Sequence, residues 1–152
     1  MNYSGLNYLY EDFLPPIERK DIIALTHSLD CVVKNTTAIM AHLDMYQIKT
    51  IQPQMKLLME LIGQATHKLP QLMQDLEDFK HPQKNWKTLE EMNTINSQGA
   101  QSYYQGVKNL NLGEMNSFET MKYTRMYESF HEIFQSIQEL MIIVEAVIIE
   151  NT

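Results

Sequence analysis

The sequence predicts an all-α fold, an antiparallel up-and-down bundle of four long helices. Three observations predict it. Apolar residues recur at alternating steps of three and four along three long stretches, no stretch alternates as a half-buried strand would, and the connections are short enough to set successive helices antiparallel.

The first stripe runs through Ile22, Leu25, Leu29, Val32, Thr36, Ile39, Leu43 and Tyr46. The second runs through Met55, Leu58, Ile62, Ala65, Leu69, Leu72, Leu76 and Phe79. Pro70 lies inside it and is expected to bend that helix rather than end it, because the stripe resumes in phase. The third element, about 89–109, is the weakest: Met92, Ile95, Tyr103 and Val107 share it with Asn93, Asn96, Gly99 and Gly106, poor helix formers. The last stripe runs through Tyr123, Met126, Phe130, Ile133, Ile137, Leu140, Val144 and Val147. Boundary residues agree with this division. Pro15 and Pro16 lead into the first helix and Pro53 suits the first turn of the second. The run "KHPQ", 80–83, is expected to end the second helix. Thr88 with Glu91, and Asn116 with Glu119, have the spacing of capping boxes. Residues 1–16 read as a lead segment and 17–152 as one helical domain, which suits a chain of 152 residues that is 44% hydrophobic.

Charge and cysteine content narrow the function classes. A net charge of −7 with dispersed acids repels a phosphate backbone, which argues against nucleic acid. The single cysteine, Cys31, has no partner for an internal disulfide, and no cationic segment followed by an apolar run opens the chain, so a cytoplasmic location is expected. The most apolar run, 140–149, holds Glu145 and falls well short of the roughly 20 residues that span a bilayer, so no transmembrane helix is expected. Phosphate-cradling glycine loops, nucleophile elbows, HExxH and CxxC motifs are all missing, so no enzyme is expected.

The opening of the first helix carries a motif. Phe13, Pro16, Ile17, Arg19, Asp21, Ile22, Leu25, Leu29, Asp30 and Val32 resemble the pattern F-x-T-P-[FI]-D-R-E-D-I-x-x-L-x-x-x-L-D-D-V-x-D of the PhoU-related phosphate-transport accessory (Pit accessory) proteins. The likeness extends through "MYQI", 45–48, and the order of the later helices, from Phe13 onward. The resemblance implies a non-catalytic accessory or regulatory protein of inorganic phosphate transport, docking by a helix face to a transporter or signalling partner at the cytoplasmic membrane surface. It also implies two helices ahead of the motif, which this sequence lacks. The aromatic-rich lead segment is expected to cover part of the seam they would leave, and a homodimer or partner is expected to cover the rest. Arg19 and Asp21 at the helix start, and Ile142, Ile143, Ile148 and Ile149 off the main stripe, are the candidate partner contacts.

The family's metal clusters, built from Glu/Asp-x-x-x-Asp pairs that stack on one helix face, are largely missing. Asp30 remains, but Cys31 and Lys34 occupy neighbouring ligand places. Asn96 and Ala100, then His131 and Gln135, stand where acids are expected. No cofactor is therefore expected. A rearranged site for a divalent or ferric metal would use Asp30, Glu128, His131, Glu132 and Glu139. The competing readings are ordinary: an Asp30–Lys34 ion pair worth a few tenths of a kcal/mol, a surface histidine at 131, solvated histidines at 27 and 67, and a small, partly buried Cys31. Trp86, Tyr103 and Tyr104 would form a stacking wall or, more simply, pin a loop. Two alternatives to the accessory role follow: a small metal-binding bundle, and a diverged self-associating structural protein.

Overall fold

The computed structural model describes residues 17–78 and 81–151. It folds as four helices: α1 (Arg19–Met45), α2 (Pro53–Asp75), α3 (Gln83–Leu112) and α4 (Ser117–Glu150), with no strand among the described residues. This is the all-α, up-and-down arrangement that the stripes predict. Every apolar member of the α2 stripe from Met55 to Leu76, and every member of the α4 stripe, is buried.

The helices do not close into a ring. α4 packs against both α1 and α3, α3 packs against α2, and α2 touches α4 more lightly. Among the described helices, the backbone of α1 approaches that of α4 and no other. α4 is therefore the central rod, and its burial shows it. Tyr127, Phe134 and Met141 recur every seven residues on one side; Ser129 and Ser136 repeat the interval on the opposite side, and both sets are buried. The two serines return their hydroxyls to the helix's own carbonyls, Ser129 Oγ to Arg125 at 3.1 Å and Ser136 Oγ to Ile133 at 2.7 Å, so they are buried without an unmet hydrogen bond.

The glycines that weaken the third stripe explain the α3–α4 contact. A Cβ on Gly99 would lie 2.8 Å from the Phe134 ring, and one on Gly106 would collide with the Tyr127 ring. Stepping seven residues forward on α3 and seven back on α4 preserves the pairing, which is antiparallel register expressed as ring into gap. Tyr103 stacked on His131, and Asn96 donating to Gln138 at 3.1 Å, obey the same register. A buried amide fastens the α2–α3 hairpin: Asn85 Nδ2 donates to the Leu72 carbonyl at 3.0 Å.

Several boundaries differ from the sequence expectation. α2 ends at Asp75, before the 80–83 run. α3 begins at Gln83 behind Pro82, ahead of the expected start at Leu89. Thr88 consequently lies inside α3, where its hydroxyl donates to the Lys84 carbonyl at 3.2 Å, and Glu91 accepts from Lys68 at 2.7 Å, so no capping box forms there. At α4 the side chain of Asn116 does cap, accepting from the Glu119 amide at 2.8 Å, while the Glu119 carboxylate turns to Lys122. Pro53 occupies the first turn of α2, and that helix runs continuously through Pro70. Pro15, Pro16, Phe79, Lys80 and the lead segment lie outside the described residues.

Candidate functional site

Among the described helices the backbone of α1 leans on α4 alone, and its first turns stand beside the end of α2 across an apolar groove. Ile17, Ile22, Leu25 and Leu29 line one wall and Met73 and Leu76 the other, enclosing about 270 Å³. In a closed four-helix ring, backbone packing between α1 and α2 would fill this space. Near the end of the same α1–α4 seam, two acids meet. Asp21 Oδ2 is buried with no hydrogen-bond donor, and Glu150 at the end of α4 faces it. The hydrogen bond and then the charge of Asp21 hold the Glu150 carboxyl above its ordinary range, because a protonated Glu150 supplies the donor that Asp21 lacks. Lys20 is raised in turn, chiefly by Glu18 at 3.5 Å and then by Glu150.

The residues proposed for a metal site do not converge on one point. Asp30, Glu128, Glu132 and Glu139 are exposed. His131 is half-buried with its ring stacked on Tyr103, centroids 4.3 Å apart. Among the described residues no three His, Cys, Asp or Glu side chains come together as a ligand set. Asn96 spends its amide on Gln138 and leaves its Oδ1 buried without a partner. Cys31 Sγ lies 3.8 Å from His27 Nε2 on an exposed turn of α1.

The candidate partner residues divide by helical angle. Ile142 and Ile149, seven apart, are exposed on one face of α4, and Ile143 is partly buried against the core. Ile148 is only 4% exposed and belongs to the core, because one step of about 100° carries it from the outer face to the packed one. Arg19 is exposed and Asp21 half-buried. The aromatic wall does not form: Tyr103 turns to His131, and Tyr104 is exposed beneath Lys108, 6.0 Å from its ring centre. Trp86 is partly exposed near the start of α3.

Two tyrosines gain roles that the sequence does not display. Tyr123 donates to the Thr50 carbonyl at 3.2 Å and Tyr127 to Gln52 Oε1 at 2.7 Å, tying the α1–α2 connection to the start of α4. Burial, aided by Tyr123, pushes the Tyr127 phenol up to about 12, so it stays a neutral donor. The partners lie more than seventy residues apart in sequence, beyond any local pattern. No helix among the described residues is long and apolar enough to cross a membrane. Comparison with family models, curated proteins and solved structures finds no match for this chain.

Proposed function

We propose that the protein is a non-catalytic accessory or regulatory component of inorganic phosphate transport, acting by helix-face docking to a transporter or signalling partner, as the resemblance of its opening motif to the PhoU-related proteins implies. The observation that supports this reading is the apolar groove between α1 and α2. Leu29 and Met73 are its partly exposed lining over the buried Ile17, Leu25 and Leu76, and a partner helix laid along it would cover them. The outward Ile142 and Ile149 on α4 extend the surface available to a partner or to a second copy of the chain. Binding there changes which partner is occupied; it needs no reactive group.

The test pairs association with transport. The full chain is expected to co-purify with an inorganic phosphate permease, and Thr26→Lys with Leu29→Lys in the groove is expected to break that association while the helical content holds. Deletion is expected to alter phosphate uptake. Unchanged uptake, together with no retention of a permease, would remove the proposal.

A further inference from the structure

The two ends of the bundle differ in chemistry, and one of them has the character of a lipid-facing tip. The α1–α2 and α3–α4 connections share this end, joined by the Tyr123–Thr50 and Tyr127–Gln52 hydrogen bonds. Six of the fourteen large apolar side chains left exposed among the described residues gather here: Met45, Ile51, Leu112, Met115, Phe118 and Met121. Leu112 and Phe118 are 73% and 65% exposed.

The charges around these residues identify the occupant. Lys122 is paired with Glu119 at 3.3 Å and stands 5.3 Å from the Phe118 ring centre. Apart from that pair, the cations within nine residues of a helix terminus at this end are Lys49, Lys56, Lys108 and Arg125, against Asp44, Glu60 and Glu114. To the same depth at the opposite end, nine carboxylates face five cations among the described residues. A chain of net charge −7 thus keeps its apolar tip slightly positive and places its excess acid at the far end. Two tips meeting face to face would gain little electrostatically because each carries a nearly balanced set of charges, and a tip meeting the far end would set apolar side chains on a carboxylate-rich surface. An anionic bilayer satisfies both features: apolar side chains enter the headgroup boundary, lysines face phosphates, and the acidic end points away.

We propose that this end of the bundle docks onto an anionic lipid surface, with Leu112, Met115, Phe118 and Met121 entering the interface and Lys49, Lys56, Lys108 and Arg125 facing the lipid phosphates. The docking is independent of the phosphate-transport role and of the α1–α2 groove, so protein-free vesicles test it alone.

The purified full chain is floated with vesicles of phosphatidylglycerol and phosphatidylcholine, and with vesicles of phosphatidylcholine only. Binding is expected on the anionic vesicles and is expected to weaken with salt. The double variant Leu112→Ser with Phe118→Ser is expected to lower it at least about tenfold, with the melting temperature and helical content preserved, because both residues are exposed. Lys49→Glu with Lys108→Glu is expected to act in the same direction, and Ile149→Ser at the far end to leave binding unchanged. Absence of binding to anionic vesicles at low salt, or binding undiminished in the Leu112/Phe118 variant, would overturn the proposal. So would a dimer that this variant dissolves in the absence of vesicle binding, which would assign the tip to a second copy of the chain.

Discussion

The two seams of α4 are built on different principles. Toward α3, aromatic rings enter gaps left by glycine, so the backbones approach closely and the register is set by shape: Phe134 over Gly99 and Tyr127 over Gly106. Toward α1, the contact rests on Ile22, Leu25, Val32 and Ile39, with Leu29 and Leu43 only partly covered. α3 is also held from behind by α2, whereas among the described helices the backbone of α1 meets α4 alone. A helix gripped on two sides shares its stability with the whole core, while one gripped on a single side can leave by itself. The contrast teaches that α1 and the groove beside it form the part of the molecule most easily remodelled by a partner.

The largest test of the contrast removes a ring from the tight seam. Phe134→Ala is expected to cost about 3–5 kcal/mol in chemical denaturation, since it empties a site that glycine cannot refill. A loss of under about 1 kcal/mol would mean that the seam is looser than its geometry. Filling a gap comes next. Gly106→Ala gains up to about 1 kcal/mol of helix propensity but drives a methyl against Tyr127, whose ring is pinned by Gln52, so overpacking of about 1–3 kcal/mol is expected to win. A stabilised Gly106→Ala protein would show that α3 slides freely.

On the weaker side, Val32→Ala is expected to cost about 1–2 kcal/mol. Hydrogen exchange is expected to show the amides of α1 opening at lower free energy than those of α3 and α4. Equal protection in all four helices would erase the distinction between the seams. The smallest effect concerns pH. The folded-state pKa of Glu150 is raised, so the folded chain binds a proton more readily than the unfolded one, and the α1–α4 seam gains stability as pH falls into the carboxylate range and loses it as pH rises through the raised value. Glu150→Gln is expected to flatten that part of the stability profile, read from melting temperatures across mildly acidic pH. A profile identical to that of the parent would show that the two acids do not interact.

How far each feature was legible depended on the distance over which its cause acts. The α4 stripe was readable because burial on a single rod repeats at the helix period, and the Asn116 cap because it acts across a single turn. The α3 start was misjudged because Thr88 and Glu91 have capping spacing, yet their side chains are spent on Lys84 and on Lys68 of another helix. Gly99 and Gly106 looked like flaws in a helix. Their seven-residue interval, matched by Tyr127 and Phe134, was the available sign that they receive rings. For the site, Ile142, Ile143, Ile148 and Ile149 were legible only as a group off the main stripe, and the exposed Ile142 and Ile149 were not separable from the buried Ile148 without the helix's orientation.

By itself the sequence determined that the described residues make four long amphipathic helices in alternating direction, because periodic burial and short connections are properties of neighbouring residues. Only the tertiary structure decided that α4 would stand between α1 and α3, that the acids of a supposed metal site would face water separately, and that six apolar side chains would share one tip. The physical reason is that a stripe states how much of a helix must be hidden but not against which neighbour. That choice depends on the fit of distant side chains, rings into glycine gaps above all, which no local pattern encodes.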